Sequence, residues 1–378
     1  MIIRGANVFG EDCRFQKRDI CIGDGVFLDD DSLPGDDSNV VIDAEGFYAI
    51  PGLVDIHLHG CMSRDFSDGE LDGLEEMALY QAQNGVTAIC PASMTLPETQ
   101  LLKIVRTAKA YQPKGGASLI GMNMEGPFFS EEKKGAQNSL YLKNPDMPML
   151  RRLMDEAEGL IRLLDIAPEL DGALDMIREM SPVLRCSVAH TTADYDVTAA
   201  AFATGASHVT HLYNAMYPFL HRAPGVVGAA MDAPGCTVEL ITDGIHIHPS
   251  VIRATFRMFG ADRVVLVSDS MMATGMEDGD YSLGGLYVSV KGNRAVLEDG
   301  TVAGSVTNLM NCMRYAVKLA GIPLEDAVRA ATANPAKVIS QYERYGSIAP
   351  GKSADVVLLN SELEIVKVVV RGEVLGTV

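Results

Sequence analysis

Short apolar runs alternate with segments of helical periodicity along the middle of the chain. Eight of these runs predict strands that are apolar enough to be covered on both faces. They span residues 53–59, 87–94, 118–125, 162–168, 185–191, 208–214, 237–243 and 263–269. Helical stretches follow, such as 71–84 before Gly85, 100–111 before Pro113, and 196–204 before Gly205. Repeated βα units are typical of a parallel sheet, and eight of them predict a closed α/β barrel of the TIM (β/α)8 type.

The two ends of the chain carry a different, β-rich pattern. Residues 1 to about 50 alternate short apolar runs with Gly and Asp turns, and 354–359 and 365–370 are runs rich in β-branched residues. We therefore predict a β module built from residues 1–50 and 345–378, and a barrel over residues 51–344. A hairpin-like stretch at 281–303, with a turn at Asp299-Gly300, falls outside the βα rhythm. Predicted helices at 307–319 and 324–333 lead back to the terminal module.

Composition and charge exclude several classes of partner. The chain has 378 residues, of which 47% are hydrophobic and 21% charged, as in ordinary globular proteins. Its formal net charge of −19 argues against nucleic acid and anionic membranes, so an anionic substrate needs a local positive pocket. Seven scattered cysteines without CxxC spacing favour reduced thiols in a cytosol. With no export signal and no run of eighteen apolar residues, we expect a cytoplasmic protein without nucleic-acid or membrane partners.

Side chains that bind metals stand where several predicted strands end. His57 and His59 close the first strand, and their two-residue spacing places both rings on one face. Glu125 ends the third strand, His190 the fifth, and His211 lies in the sixth. The carboxyl ends of barrel strands form the active site of this fold, so these five residues should converge. A single buried histidine is more often a hydrogen-bonded core residue, but the set together indicates a metal site.

The predicted site holds one or two divalent metal ions per subunit. Glu125, His190 and His211 are a three-ligand set that leaves a position open for water. His57 and His59 could hold a second ion with help from Glu125. Nitrogen and oxygen ligands suit Zn, and also Fe, Mn or Co.

Three further polar residues lie near these ligands. Asp269 ends the eighth strand, where it could cap a following helix or act as a general base beside metal-activated water, and we favour the base. His208, three residues before His211, is predicted to face the opposite side of its strand and to serve the structure. His248 precedes Pro249 in a loop, where we expect it to be exposed or to support another site residue.

Several segments resemble the amidohydrolase superfamily and, within it, the N-acetylglucosamine-6-phosphate deacetylases. Residues 51–60 (PGLVDIHLHG) and 346–355 (GSIAPGKSAD) resemble the opening and closing motifs of the superfamily. The deacetylases are resembled specifically at residues 124–128 (MEGPF), 189–191 (AHT), 211–216 (HLYNAM), 243–246 (DGIH) and 268–271 (SDSM). The likeness runs in order over essentially the whole chain. It implies a distorted TIM barrel with a small β-sandwich assembled from both chain ends.

The resemblance also implies which residues bind an amino-sugar phosphate. Asn214 and Ala215 would bind the sugar phosphate, His246 would contact the substrate, and Arg222 would contact the phosphate with its planar fork. In this family that arginine can reach into the neighbouring subunit's site, which implies a homodimer. The remaining substrate-binding candidates are Ala136, Gln137, Val302, Ala303 and Gly304.

One position departs from the family pattern. Many members have a histidine where Gln137 stands, and that histidine is thought to help polarise the acetyl carbonyl. A glutamine can donate a hydrogen bond but cannot become cationic. A second metal ion held by His57 and His59 could compensate as a Lewis acid.

The sequence thus predicts hydrolytic deacetylation of N-acetyl-D-glucosamine 6-phosphate to D-glucosamine 6-phosphate and acetate, in amino-sugar catabolism. Metal-activated water would attack the acetamide, with Asp269 as base and then as acid. The nearest alternative is a related amidohydrolase acting on N-acetylgalactosamine 6-phosphate or on a cyclic amide. An inactive scaffold and a sugar-phosphate-binding regulator are alternatives of other classes.

Overall fold

The computed structural model describes residues 1–29 and 40–376. Residues 30–39 and 377–378, which belong to the predicted terminal β module, lie outside the described residues. In chain order the strands are β1 Ile2–Phe9, β2 Phe15–Gly23, β3 Val26–Phe27, β4 Val41–Asp43, β5 Tyr48–Pro51, β6 Leu53–Asp55, β7 Gly60–Cys61, β8 Arg64–Asp65, β9 Val86–Ile89, β10 Ser118–Leu119, β11 Met122–Glu125, β12 Ile161–Ile166, β13 Arg185–Val188, β14 His208–Val209, β15 Thr237–Ile241, β16 Val264–Val267, β17 Gly279–Leu283, β18 Leu286–Lys291, β19 Arg294–Val296, β20 Val356–Leu359, β21 Ile365–Val370 and β22 Glu373–Val374. The α-helices are α1 Leu71–Gln83, α2 Glu98–Ala110, α3 Met147–Ala157, α4 Ala173–Met180, α5 Tyr195–Thr204, α6 Gly225–Asp232, α7 Pro249–Phe259, α8 Leu309–Lys318, α9 Leu324–Ala331 and α10 Ala333–Val338.

A curled parallel sheet occupies the middle of the molecule. Strands β6, β9 and β10 pair in parallel, and β11 to β16 pair in parallel in sequence order. A parallel bridge between Ala92 and Asn123 joins the two groups. Across the remaining seam the Asp269 amide donates to the His57 carbonyl at 2.8 Å. All eight predicted runs contain a strand, and this arrangement fits a distorted TIM barrel.

The barrel strands are shorter than the apolar runs that predict them. Strand β14 has two residues against a predicted 208–214, and β6 ends at Asp55 instead of at residue 59. The reason is visible at His190, His211 and Asp269, whose φ angles of 44°, 29° and 49° leave the extended region. A left-handed backbone cannot continue a strand ladder. Glu125 is the last residue of β11, whereas the other residues of the predicted metal and proton-transfer site lie just beyond their strands.

The two ends of the chain meet in one sheet. Its strand order is β22-β21-β20-β5-β1-β2-β3, with β4 paired to β1. Strands β5 and β20 run antiparallel, so Ile50 faces Val357 across the join. In the described residues these strands form a single hydrogen-bonded sheet, so the predicted β-sandwich is not confirmed. One face encloses an apolar cluster that includes Ile3, Val8, Ile20, Ala49, Val356 and Val369.

The predicted helices are present with small shifts at their ends. Helix α1 buries Leu74 and Met77, and the chain turns beyond it at Gly85, whose φ is +80°. The predicted helix at 324–333 is instead two helices, α9 and α10. They are separated at Thr332, whose φ of −133° and ψ of −79° interrupt the helical backbone.

The stretch predicted as a hairpin at 281–303 is an antiparallel sheet of three strands, β17, β18 and β19. Its buried face packs on Met94 and Met271 beside the ends of the barrel strands. The turn at Asp299 is held by its carboxylate, which accepts a hydrogen bond from the Thr301 amide at 2.9 Å. This sheet therefore brings residues 299–304 over the open end of the barrel.

Within the described chain, no helix is both long enough and apolar enough to span a bilayer. Six of the seven cysteines are buried, and Cys13 is partly exposed.

Gly52 joins the terminal sheet to the barrel, between β5 and β6. A Cβ at this residue would lie 2.0 Å from Thr87 Oγ1 and 2.8 Å from Thr87 Cβ, so the strand behind it would have to move. We expect Gly52→Ala to destabilise the fold by about 1–3 kcal/mol, as overpacked cores do. Gly235→Ala is the matched control, because a Cβ there meets nothing within 4 Å. Chemical denaturation of both variants checks this, and equal midpoints would contradict it.

Candidate active site

Six predicted site residues converge where the barrel strands end. They follow or close five different strands of the curled sheet, and Glu125 adjoins both groups of ligand atoms described below. All six are buried: His57, His59, Glu125, His190, His211 and Asp269. No helix begins at Asp269, so the capping role does not apply, and its carboxylate instead lies beside the His59 ring.

The first group of ligand atoms comes from Glu125, His190 and His211. Glu125 Oε1 lies 3.2 Å from His190 Nε2 and 3.4 Å from His211 Nε2. The two Nε2 atoms are 3.1 Å apart. Zinc bonds of about 2.0–2.1 Å in a tetrahedron place ligand atoms about 3.3 Å from one another. The three atoms therefore fit three corners of a metal tetrahedron.

The second group comes from His57, His59 and Asp269. His59 Nε2 lies 3.2 Å from Asp269 Oδ1, and His57 Nε2 lies 3.8 Å from the same oxygen. Glu125 adjoins this group too, with Oε1 3.4 Å from His57 Nε2 and Oε2 3.4 Å from His59 Nε2. His57 Nε2 is buried and has no hydrogen-bond partner in the described structure. An unsatisfied buried nitrogen is costly, and a metal ion would satisfy it.

Hydrogen bonds to the far ring nitrogens orient these imidazoles. His190 Nδ1 lies 2.9 Å from the Lys133 carbonyl, and His59 Nδ1 lies 3.2 Å from the Ala92 carbonyl. A carbonyl only accepts, so each Nδ1 carries a proton, and Nε2 is the ring nitrogen that can offer a lone pair to a metal ion.

The electrostatics of the cluster favour a cation. Burial opposes ionisation of Glu125, but His57 and hydrogen bonds from His190 and His211 hold the pKa of Glu125 well below its ordinary value. Burial likewise opposes protonation of His57, yet the carboxylates of Glu239 and Glu125 raise the pKa of His57 well above its ordinary value. Protons and divalent ions compete for the same imidazole nitrogens. The negative potential that attracts protons here would therefore attract a metal ion.

Gln137 is buried against Glu125, the carboxylate that the two groups of candidate metal ligands share. Its Oε1 accepts a hydrogen bond from the Thr95 amide at 2.7 Å, and its Nε2 donates to Glu125 Oε2 at 2.7 Å. The Thr95 donor fixes which end of the amide faces Glu125. Gln137 thus holds the shared carboxylate in place.

A cavity of about 430 Å³ opens above the cluster. It is lined by Ala136, Gln137, Asn214, Ala215, His246, Val302 and Gly304 among the predicted substrate-binding residues. Ala303 is fully buried and does not line it. Arg222 is exposed, borders a different cavity, and lies 2.7 Å from His221 Nε2 through Nη1. Within one chain, Arg222 is therefore not brought to the site.

Some residues of the site were not found from the sequence. Lys133 and Lys134 line the cavity and bring two ammonium groups to it, beside the carboxylates of Glu131, Glu132 and Asp299. Glu239 is fully buried and lies 2.9 Å from His57 Nδ1 through Oε2. A charged residue inside the apolar run of 237–241 (TVELI) was the signal that could have revealed it.

The structure corrects the orientation predicted for His208. Its ring lies inside the barrel, with Nε2 3.0 Å from Glu239 Oε1. The alternation argument fails because β14 ends at Val209 and the backbone turns at His211. His248, by contrast, is exposed as expected and caps the start of α7.

Comparison with known proteins gives a consistent result. Residues 48–375 match the model of the amidohydrolase family. The N-acetylglucosamine-6-phosphate deacetylase of Bacillus subtilis (strain 168) is 36% identical over 331 residues, which cover 86% of this chain and 84% of that protein. The N-acetylgalactosamine-6-phosphate deacetylase of Escherichia coli O157:H7 is 31% identical over 375 residues, 98% of each chain. A mutant N-acetyl-D-glucosamine-6-phosphate deacetylase from Mycobacterium smegmatis, solved in complex with N-acetyl-D-glucosamine-6-phosphate, superposes with a TM-score of 0.91 at 31% identity, over 100% of this chain and 99% of that one.

Replacing Glu125 tests whether the cluster binds metal. Because Glu125 adjoins both groups of ligand atoms, Glu125→Ala should weaken metal binding by more than the roughly 10–100-fold typical of losing an outer hydrogen-bond partner. His248→Ala removes an exposed histidine and should leave metal content unchanged. Elemental analysis of the purified, dialysed variants measures this, and full metal content in Glu125→Ala would rule out the cluster as the binding site.

Proposed function

The chain belongs to the amidohydrolase family, and from that premise we propose that it hydrolyses N-acetyl-D-glucosamine 6-phosphate to D-glucosamine 6-phosphate and acetate in amino-sugar catabolism. The observation that carries this proposal is the convergence of Glu125, His190 and His211 beside Asp269 under a cavity large enough for a sugar. Deacetylases of this sugar phosphate are similar to the chain over most of its length, and one was solved with that compound bound.

The buried ligand atoms would hold the divalent metal that amidohydrolases use. Glu125, His190 and His211 would hold one ion, and His57, His59 and Asp269 could hold another. A divalent ion in such a site polarises a carbonyl as a Lewis acid and lowers the pKa of water. We propose zinc, since the ligands are imidazole and carboxylate, and Fe, Mn and Co share that preference.

Asp269 is the proposed proton carrier. Its Oδ1 lies 3.2 Å from His59 Nε2, and the carboxylate lines the substrate cavity. Although burial opposes ionisation, the hydrogen bond from His59 and the nearby imidazoles lower the pKa of Asp269. The carboxylate is therefore ionised near neutral pH, and in that form it can accept a proton from water. It then returns that proton to the departing amine of the sugar.

The cavity wall supplies the proposed contacts to the sugar phosphate. His246 Nδ1 lies 2.8 Å from Asp243 Oδ2. Burial disfavours the charged ring, but the Asp243 carboxylate outweighs it and raises the pKa of His246. A protonated His246 can donate from Nε2 to a phosphate oxygen. Asn214, Ala215, Ala136, Val302 and Gly304 complete the wall.

We propose a homodimer, in which Arg222 of one chain would contact the phosphate bound in the substrate cavity of the other chain. Arg222 is exposed and stands outside the substrate cavity of its own chain. Exposed apolar side chains of Tyr217, Phe219 and Leu220 precede it and offer a surface for a partner.

Two further proposals concern the whole chain. The seven scattered cysteines, six of them buried, favour a cytoplasmic location, where thiols stay reduced. A terminal module of residues 1–50 and 345–378, a β-sandwich in the family, would be distinct from a barrel of residues 51–344. The separate apolar cluster of the terminal sheet supports that division.

The galacto epimer is the second candidate substrate. The chain is similar to an N-acetylgalactosamine-6-phosphate deacetylase over 98% of its length, although at lower identity than to the gluco-specific relative. Epimers at one hydroxyl differ in the wall contacts of a sugar pocket and not in the reacting amide.

Asp269→Asn tests the proton carrier. The amide is similar in shape but cannot accept the proton of water, so turnover should fall by about 10²–10⁴-fold. The ion held by Glu125, His190 and His211 should remain. Acetate release and metal content are measured on one preparation. Near-normal turnover by the variant would remove Asp269 from proton transfer.

A substrate panel tests the proposed reaction. Fully metallated protein should release amine fastest from N-acetyl-D-glucosamine 6-phosphate, more slowly from its galacto epimer, and poorly from the unphosphorylated sugar. The phosphate contacts explain the last difference, because an unmet charged site loses binding energy. Faster turnover of the galacto compound would reassign the substrate, and no turnover of any member would refute the deacetylase.

A further inference from the structure

Glu239 is a buried carboxylate that the proposed reaction does not use. It lies in β15 with both neighbours apolar, and its side chain is 0% exposed. An isolated carboxylate in such a place would be very costly unless donors surround it. Three N–H groups reach it: His57 Nδ1 at 2.9 Å and the His211 amide at 3.1 Å on Oε2, and His208 Nε2 at 3.0 Å on Oε1.

The contact with Glu239 fixes which ring nitrogen of His57 carries a proton in the neutral imidazole. An ionised carboxylate can only accept, so Nδ1 of His57 carries a proton. In the neutral imidazole the lone pair is then on Nε2. That nitrogen faces Glu125 and Asp269, and it is the buried atom without a hydrogen-bond partner in the described structure. The ring is thus prepared to bind an ion from one fixed side.

His208 holds the other side of the carboxylate. Its Nε2 donates to Glu239 Oε1, while its Nδ1 lies 2.6 Å from Thr237 Oγ1, and the side chain is 0% exposed. His208 makes no contact with Glu125, so it is not a ligand candidate itself. Its position instead prevents Glu239 from rotating away from His57.

We propose that the buried Glu239–His208 pair positions His57 as a metal ligand and so creates the second ion position, the one between His57, His59 and Asp269. The proposal rests on the metal-dependent function above. The carboxylate fixes the His57 tautomer and increases the electron density on Nε2, as a carboxylate behind a ligating histidine does. The first ion position, between Glu125, His190 and His211, depends less on Glu239. Of these three residues, His211 is the one with a hydrogen bond to Glu239, and it donates from its backbone amide.

Glu239→Gln is the decisive variant. The amide keeps the volume, and its oxygen can still accept from His57 Nδ1 and the His211 amide. The amide nitrogen would face His208, which can change tautomer and donate to Thr237 Oγ1 instead. What the substitution removes is the negative charge behind His57.

The experiment is calorimetric titration of chelator-treated protein with Zn²⁺. Wild-type protein should show two binding events. In Glu239→Gln the weaker event should lose about 10–100-fold in affinity, while the stronger changes by less than about threefold. Asp243→Asn is the matched control, because it removes the negative charge of a carboxylate that lies 2.8 Å from Nδ1 of another histidine, His246, which is not a ligand candidate. Both of its binding events should match wild type.

Several outcomes would overturn the proposal. These are equal weakening of both events in Glu239→Gln, no weakening of either, or a single event in wild type. Should Glu239→Gln not fold, nitrogen-15 NMR of histidine-labelled wild-type protein decides the matter. The proposal requires that His57 in the Zn²⁺-loaded protein keeps its Nδ1 proton and binds the ion through Nε2, and ligation through Nδ1 would overturn it. A deacetylase assay on the loaded wild-type sample tests the proposed function separately.

Discussion

The rest of the site depends on the contacts between the Glu125 carboxylate and the histidine rings around it. Its two oxygens lie within 3.4 Å of ring nitrogens from four histidines, which come from three different strand ends. Four imidazoles this close would repel one another whenever two or more of them carried a second proton. The buried negative charge of Glu125 at their centre offsets that repulsion. Gln137 then fixes that carboxylate by a donor on Oε2, which leaves Oε1 aimed at His190 and His211.

Bringing these side chains together around Glu125 requires strained backbone conformations at the strand ends. His190, His211 and Asp269 all have positive φ, a conformation that typically costs non-glycine residues about 1–3 kcal/mol each. Such residues persist only where surrounding contacts overdetermine them. Here the contacts are those between the rings and carboxylates of the cluster. Hydrogen bonds from backbone amides add to them, such as the one that His211 donates to Glu239. The short strands are thus a consequence of building the site, and the barrel tolerates them because its helices and apolar core bury each strand.

Much of this organisation could be predicted from the sequence, for a definite reason. Apolar runs indicate burial on both faces and predict all eight strands, and helical periodicity predicts α1, α2, α5, α8 and α9. Histidines and carboxylates at the ends of the apolar runs identify the cluster. Strand ends were misplaced because periodicity does not register a change in φ, as the short β14 shows. His208 was misoriented for the same reason. Glu239 was overlooked, although a carboxylate within an apolar strand is itself a sign of a buried partner.

The contrast between the whole molecule and its cavity bears on specificity. A protein with a formal charge of −19 repels an anionic sugar phosphate at long range, and solvent ions screen that repulsion beyond about 8 Å. Recognition must then come from short-range donors at the cavity wall. The described chain offers His246, Lys133 and Lys134 there, whereas Arg222 borders a different cavity. A neutral sugar can accept hydrogen bonds from these cations, but a phosphate adds a charge-assisted contact, which is about twice as strong. The proposed dependence of turnover on the phosphate therefore rests on these donors and not on the metal ligands.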